Sequence, residues 1–576
     1  MVGMSPRPIT RKEYRRRQRR LVPVVLAFVI GAALVALRLG YWQVQEHSAL
    51  AAQAQETRRH EETIVPRRGR IFDRHGHALA MNRPCVQVAA APDQVTDPAG
   101  TADKLALLLN LPRAELLRDL TLDQSWVVLR RHVSAETAAR IRELGLAGVH
   151  LEDESQRVYP AGSLAAHVLG IVTWDGKGYY GIEGEHNLLL RGVAGTLTAE
   201  WDSRRDMTIV GAERRFSPAR DGSDLYLTID RAVQHVAEEE LDRALREYGG
   251  TGGTIIVVDV RTGDILAMAS HPTFDPNEFT DLQMEQFVNP AVSAQYEPGS
   301  VFKLVTMAAA LDTGVLRPED SFYCAGEIAI GGRILRPWDR KAHGLETMTE
   351  VLAHSCNVGA AYASTKVGAE AFYRYVFDFG FARPTGIELQ GEAKGKVLLP
   401  GEGNWYPINL GTNAFGQGLA ATPLQMIMAV ATIANDGVRM KPQIVTRVVQ
   451  PDQQIVSEPV TVGRVIQPET ARQLAAMMVN AVETETDLAR VPGYRVAGKT
   501  GTSQIPIREG YDPRWTIASF AGFLPVDDPQ VAILVKIDRP TADQWGSKVA
   551  APVFSRVARR LVVLLGIPPD DQRATQ

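Results

Sequence analysis

The hydrophobic pattern of this chain opens without a period, as a basic run followed at once by an uninterrupted apolar one. Residues 21–37 (LVPVVLAFVIGAALVAL) carry no charge, and beyond Arg38 the apolar character continues through Leu39, Tyr41, Trp42 and Val44. This predicts a membrane-spanning helix, slightly under the ~20 apolar residues usually needed unless Arg38 snorkels to the interface. Tyr41 and Trp42 fall where interfacial aromatics belong. The rival is a cleaved export signal. Ala49-Leu50-Ala51 fits a small-x-small site, but Gln43, Gln45, Glu46 and His47 separate it from the apolar core, which favours an uncleaved anchor. No second run of spanning length follows.

Downstream the pattern becomes periodic. Residues 46–63 are polar and rich in alanine and glutamine, compatible with a helix leaving the membrane. A loop, strand and turn are expected over 66–76. Helical spacing of Leu, Ile and Ala marks 101–120 and 134–144, with Thr101 and Ser134 as N-caps and a strand at 125–129 between them. From 224 the texture changes. A strand is expected at 225–229, an amphipathic helix at 233–245, and an antiparallel hairpin of 253–260 and 265–268 about the Arg261-Thr262-Gly263-Asp264 turn. Alanine-rich buried helices are expected at 304–311 and 358–367.

Composition narrows the class. The chain has 576 residues, 45% apolar and 22% charged, which is globular and too long for one compact domain. The first twenty residues hold eight basic side chains (Arg7, Arg11, Lys12, Arg15, Arg16, Arg17, Arg19 and Arg20) against Glu13, so the leader is +7 and, with −3 overall, the remainder is −10. A basic leader before an apolar run places the N-terminus in the cytoplasm and everything after about residue 45 outside. The mildly acidic remainder excludes a nucleic-acid partner. Cys85, Cys324 and Cys356 form no disulfide framework and have no Cys/His cluster at metal-ligand spacing, so neither a structural metal nor a cofactor is expected. Arginines and aspartates between 45 and 224 are read as a salt-bridged scaffold, an α+β spacer without a catalytic constellation.

Candidate chemistry centres on Tyr296-Glu297-Pro298-Gly299-Ser300-Val301-Phe302-Lys303, a turn opening into a helix. Three residues apart, Ser300 and Lys303 share a helix face within hydrogen-bond reach. A serine hydroxyl needs a base beside it, and lysine serves only if burial or a second cation keeps it partly neutral. The free N–H groups of the helix start can stabilise an oxyanion. Alone, Ser-x-x-Lys is an ordinary surface pair. The second motif, Ala353-His354-Ser355-Cys356-Asn357, offers a hydroxyl to relay a proton and an amide to hold a peptide, although Ser-x-Asn is also a common capping sequence. His354 is read as a packing or hydrogen-bonding histidine rather than a base, because no acidic partner is evident beside it, and Cys356 as inert.

The third motif is Val496-Ala497-Gly498-Lys499-Thr500-Gly501-Thr502-Ser503, an edge strand whose glycines let a ligand lie against the backbone. Lys499 can lower the proton affinity of Lys303 and, with Thr500 or Thr502, bind a carboxylate. The Thr502 N–H could join that of Ser300 in an oxyanion hole. Counted from Gly493 the stretch also matches a phosphate loop, but such a loop runs from strand into helix, whereas Pro492-Gly493-Tyr494 reads as a turn before a strand.

Ser300-x-x-Lys303, Ser355-x-Asn357 and Lys499-Thr500-Gly501, in this order, resemble the motif set of penicillin-binding proteins and serine β-lactamases. Arg68-Gly69-x-Ile71-x-Asp73-Arg74, the stretch from Thr262 to Met268, Phe415-Gly416-Gln417-Gly418 and Thr422-Pro423-Leu424-Gln425 are similar to the monofunctional, class B members. The resemblance implies an α/β (α+β) multidomain chain: a leader at 1–20, an anchor at 21–44, a dimerisation-type pedestal at 45–224, a β-lactamase-like transpeptidase domain with an antiparallel sheet flanked by helices at 225–565, and a tail at 566–576. It implies D,D-transpeptidation of peptidoglycan stem peptides, with Ser300 attacking a D-Ala-D-Ala donor and an amine acceptor taking the acyl group. Lys303 would activate Ser300, Ser355 relay the proton and Asn357 orient the peptide. Lys499, Thr500 and Thr502, with Gly501 between them, would grip the carboxylate, and β-lactams would acylate Ser300. The stretch at 519–554 looks most similar to septal, FtsI-type division enzymes. The side-wall elongation enzyme is the alternative within the family, and a non-catalytic divisome scaffold or β-lactam sensor the alternative outside it. Ser547 stands where family members often carry glycine, and the C-terminal repeats of some members do not occur before Gln576. With no glycosyltransferase region evident, glycan polymerisation is expected from a membrane-embedded SEDS-type partner.

Overall fold

The computed structural model describes residues 11–50, 59–202, 207–208, 214–336 and 341–573. The chain divides into two compact units, Met1–Pro66 with Val193–Arg220, and Arg67–Gly192 with Asp221–Gln576.

In the first unit a helix runs over Arg11–Gly40 and continues as a wider turn over Tyr41–Gln45. Within it Leu21–Gln45, 25 residues at mean hydropathy 2.5, forms one helix among the described residues long and apolar enough to cross a membrane. At 1.5 Å per residue that is about 37 Å, ample for a ~30 Å hydrocarbon core. The Arg38 guanidinium lies over the Trp42 ring at 5.5 Å, one turn on, so charge and indole can share one interfacial level. The polar helix expected over 46–63 is not continued to its end. Residues 51–58 lie outside the described set, and Arg59–Ile64 is a strand, paired antiparallel with Gly195–Asp202. That strand also takes Arg215–Ser217 and Met207–Thr208, making four strands. The partner lies over a hundred residues away, so local polarity could not announce it.

The second unit holds two sheets that matter for the site. In the first, Ala78–Ala90 pairs with both Val127–Val133 and Val149–Val158, and three helices cover one face. The helix expected over 101–120 is two, Pro98–Leu109 and Arg113–Asp119, because Asn110 turns left-handed and Pro112 follows. Its N-cap is Asp97, which accepts from Gly100 N at 3.0 Å, with Thr101 buried inside the first turn. Ser134 does cap its helix, accepting from Thr137 N at 3.2 Å. The expected strand at 125–129 begins two residues later, at Val127.

The same sheet continues: Ile71–Phe72 runs parallel to Asp224–Leu227, which pairs antiparallel with Val445–Val449. Beneath it lies a buried ion cluster. Both oxygens of Glu183, fully buried, bind guanidinium groups, Arg68 Nη2 at 2.6 Å and Arg157 Nε at 2.6 Å. Arg157 Nη1 also donates to Gly69 O at 2.8 Å and Asn82 Oδ1 at 3.0 Å. Two of the arginines expected to be scaffold, Arg68 and Arg157, are therefore paired. Glu183→Gln, which strands two buried cations, is expected to cost about 3–5 kcal/mol in urea unfolding. A change below 1 kcal/mol would show the cluster to be incidental.

The second sheet is antiparallel and five-stranded, in the order Ile265–His271, Gly252–Asp259, Val531–Asp538, Gly510–Leu524, Ala497–Ile507. The expected hairpin is its first pair. Side chains alternate between two cores. Ile255, Val257, Phe520 and Val535 pack under the helices Arg231–Tyr248 and Gly546–Leu564, where Phe520 and Phe554 rings meet at 4.6 Å. Ile256, Val258, Phe523 and Leu534 face Pro423–Ala434 and the segment around Val301 and Phe302. With both faces covered, the Ala497–Ile507 edge is where a chain could still pair.

Candidate active site

Ser300 sits in a 3-10 turn, Gly299–Phe302, that becomes the α-helix Lys303–Asp312. The helix is buried along almost its whole length, which LVTMAAAL dictates, and its first residue is a fully buried lysine. Gly299 has φ +58°, and a Cβ there would stand 2.4 Å from Ser503 Oγ, so only glycine lets the turn reach the edge strand. Glu297 anchors the approach, accepting from Gly418 N at 2.9 Å and Tyr511 Oη at 3.1 Å.

Lys303 and Ser300 do not bond directly. Lys303 Nζ donates to Ser355 Oγ at 3.1 Å and also to Ser355 O. The first turn is 3-10 rather than α, and the lysine reaches across to the second motif instead of back along its own helix. Burial drives the Lys303 pKa well below the ordinary lysine value, and the nearby charge of Lys499 lowers it further. Ser355 itself has φ +61°, a left-handed conformation unusual for serine that presents both its carbonyl and its hydroxyl to Lys303. Asn357 follows at the start of the helix Asn357–Val367.

Lys499, Thr500, Gly501 and Thr502 lie in the edge strand Ala497–Ile507, which has no helix at Gly498, so the phosphate-loop alternative has no structural counterpart. Lys499 Nζ donates to Thr500 Oγ1 at 3.1 Å, and Gly546 N donates to Thr502 Oγ1 at 3.0 Å. A Cβ on Gly546 would lie 2.3 Å from Gly501 O, so glycine is required there, and Ser547 takes the next position, at the cavity wall. Burial lowers the Lys499 pKa to about 8.

These segments enclose a cavity of about 510 Å³ lined by Ser300, Ser355, Asn357, Thr500 and Thr502, with Gln417 and Trp545 on its walls. Lys303 and Lys499 lie buried beneath it. The site therefore holds a half-buried hydroxyl above an amine of low proton affinity, with donors from a strand edge along one side. That is the equipment for acyl transfer to serine.

Two features escaped the sequence. His354 has acidic partners after all: its Nδ1 lies 2.7 Å from Glu346 Oε1 and its Nε2 3.7 Å from Glu485 Oε1. Both come from other elements, so inspection of neighbouring residues missed them. The Glu297–Tyr511 contact joins residues 214 apart, and no motif signals it.

Lys499 also makes a stability prediction. Its pKa of about 8 lies below the 10.5 of an exposed lysine, so between those values the unfolded chain binds more protons than the folded one and stability rises with pH. Lys499→Met should be more stable at neutral pH by on the order of 1–3 kcal/mol, and should lose that rise. Urea unfolding at neutral and alkaline pH checks both, and equal slopes in wild type and variant would contradict it.

Residues 253–559 match the family described as penicillin binding protein transpeptidase domain, and residues 63–227 the penicillin-binding protein dimerisation domain. The chain is 36% identical to stage V sporulation protein D of Bacillus subtilis over 96% of this chain and 86% of that one. It is 30% identical to the peptidoglycan D,D-transpeptidase FtsI of Escherichia coli over 95% and 91%. Among solved structures it is similar to penicillin binding protein 3 of Mycobacterium tuberculosis complexed with aztreonam, at TM-score 0.69 and 29% identity, covering 88% of this chain and 98% of that one.

Proposed function

This chain belongs to the penicillin-binding protein transpeptidase family, and we propose that it is a class B serine D-Ala-D-Ala transpeptidase that cross-links peptidoglycan stem peptides through an acyl-enzyme on Ser300. The observation that carries this reading is the stacking of three motifs around one cavity, with Lys303 buried, poor in protons and bound to Ser355.

In this reading Lys303 takes the Ser300 proton as the hydroxyl attacks the penultimate D-alanine carbonyl. The Ser300 Oγ–C bond forms, the amide C–N bond breaks, and the proton passes through Ser355 to the departing D-alanine amine. Asn357 holds the peptide, Lys499 with Thr500 and Thr502 receives the terminal carboxylate, and Gly501 lets the donor lie against the strand. The N–H groups of Ser300 and Thr502 stabilise the oxyanion. An acceptor amine then takes the acyl group. A β-lactam follows the first half alone, since its leaving amine stays tethered.

The name of the Escherichia coli relative and the similarity at 519–554 support a septal role over one in the side wall. The apolar Leu21–Gln45 helix supports anchoring in the cytoplasmic membrane, and the basic leader a cytoplasmic N-terminus with the catalytic domain outside. A SEDS-type glycosyltransferase and other division-complex proteins would be its membrane partners.

The test is fluorescent-penicillin labelling of the full-length protein in detergent, followed by peptide mapping. A slowly released label on the Ser300 peptide is expected. No label on folded protein would sink the catalytic reading and favour a divisome scaffold.

A further inference from the structure

A second cavity, of about 560 Å³, lies where the turn Asp73–His77 meets the start of the helix Arg231–Tyr248. His75, His77 and His235 line it, with Asp73, Asp230 and Arg231, and the proposed mechanism uses none of them. Gly76, at φ +87°, tightens the turn so that both flanking histidines reach this cavity.

Two of the imidazoles are buttressed by carboxylates. Asp73 is fully buried, and its Oδ1 accepts from the main-chain N–H groups of His75 at 2.9 Å and His77 at 2.8 Å. Its Oδ2 meets His77 Nδ1 at 3.0 Å. Asp230 Oδ1 caps the helix, accepting from Ala232 N at 2.9 Å, while its Oδ2 meets His75 Nε2 at 3.0 Å. A carboxylate only accepts, so each ring gives its N–H there and keeps a lone pair on the opposite nitrogen, Nδ1 of His75 and Nε2 of His77. Among the described residues no protein group is hydrogen-bonded to either of these atoms. His235 Nε2 lies 3.9 Å from Glu239 Oε2, too far for a hydrogen bond. All three side chains are more than half exposed, so they are free to turn toward one ligand.

We propose that His75, His77 and His235 bind one divalent cation of the zinc class, with Asp73 and Asp230 orienting the first two rings from behind. A carboxylate on the far nitrogen of an imidazole is the usual outer support of a metal-bound histidine, and here two separate buried aspartates supply it. The His75 and His77 ring centroids are 6.4 Å apart. With Zn–N at ~2.0–2.1 Å, two imidazoles on one ion have centroids roughly 5–6 Å apart, so small rotations of two exposed rings bring them onto it. Two carboxylates outweigh one guanidinium in the lining, which favours a cation and disfavours a phosphate. Imidazole nitrogen suits zinc, copper and nickel, whereas calcium and magnesium take oxygen. Solvent completes the tetrahedron. The ion ties the Asp73–His77 turn to the first turns of a helix that packs on the five-stranded sheet. No sequence spacing signals the site, because its ligands come from a turn and a helix 155 residues apart at the His75–Asp230 contact.

The test uses the untagged full-length protein in detergent, stripped of metal and then given zinc ions as the probe. Diethyl pyrocarbonate modifies accessible imidazoles, and peptide mass spectrometry reads each histidine separately. Zinc should protect His75, His77 and His235 together, magnesium should protect none of them, and exposed His47 should stay reactive throughout. At saturating zinc, the double variant His75→Gln with His77→Gln should hold one zinc per chain fewer than wild type by elemental analysis, a difference in which ions bound elsewhere cancel. Asp230→Asn keeps a good helix cap but loses the charge behind His75, and should raise the zinc concentration for half-protection of His77 by about 10- to 100-fold. Covalent penicillin labelling reports whether each variant is folded. Equal modification of His75 and His77 with and without zinc would overturn the proposal. So would equal zinc content in wild type and the folded double variant, or protection by magnesium as strong as by zinc.

Discussion

Ser300→Ala is expected to abolish covalent β-lactam labelling and to lower D-alanine release from a stem-peptide donor on the order of 10⁴- to 10⁶-fold. In the proposed mechanism the Ser300 hydroxyl forms the acyl bond, and two other hydroxyls lining the cavity are already engaged: Ser355 Oγ with Lys303 Nζ, and Thr502 Oγ1 with Gly546 N. The fold should not notice. Ser300 is half-buried, and alanine suits the start of a helix whose next turns are already alanine-rich, so stability should stay within about 0.5 kcal/mol. Reversible β-lactam binding should survive, because the strand proposed to receive the ligand carboxylate, Ala497–Ile507, is untouched. Stopped-flow acylation, mass spectrometry of the trapped adduct and urea unfolding separate these effects. A covalent adduct that persists in the variant, at Ser355 or elsewhere, would refute Ser300 as the nucleophile.

Lys303→Met is expected to slow acylation by about 10²- to 10⁴-fold while leaving the protein folded. Methionine fills nearly the same buried volume and removes a charge-bearing group from an apolar site, so stability should hold or rise. The pH profile is the sharper readout. Wild-type acylation should rise with pH as Lys303 loses its proton, with a midpoint well below the usual lysine value, because burial and Lys499 both disfavour the ammonium. For carboxylate-bearing ligands it should fall again above about 8, where Lys499 loses the charge that attracts them. Lys303→Met should lose the rising limb and keep the falling one. A variant with a tenth or more of wild-type acylation, or an unchanged profile, would remove Lys303 from the role of base.

What the sequence disclosed tracks how local the determining forces are. The Pro298-Gly299 turn, the alanine-rich helix after Lys303, the hairpin about Gly263 and the apolar helix Leu21–Gln45 each rest on a few adjacent residues, and each is where the pattern placed it. The Ser134 cap is also local and correct. Thr101 failed because Asp97, Pro98 and Thr101 all compete for one helix start, and the aspartate with proline behind it won. Long-range pairing was harder. The strand at 59–64 depends on residues 195–200, and the acid beside His354, at a helix end, comes from the strand Gly344–Thr347. The three motifs were individually weak, and family resemblance rather than spacing brought them together. The cavity places Ser300, Ser355 and Thr500 on one wall system, but the route of Lys303 to Ser355 depended on a left-handed serine that no propensity suggests.

One feature of the pedestal bears on mechanics. Where Ile71–Phe72 lies alongside Asp224–Leu227, main chain binds main chain: Leu225 N donates to Arg70 O at 2.9 Å and Arg74 N to Ile229 O at 3.0 Å. The Arg70 guanidinium grips Asp224 beside them at 2.6 Å. Pulled along the strand direction, such a junction loads its bonds together in shear instead of opening them one by one. Within this unit the two strands should therefore resist sliding past one another more than they resist peeling apart. Load applied to Ile71–Phe72 would pass through Asp224–Leu227 into Val445–Val449, because the three strands are neighbours in one sheet.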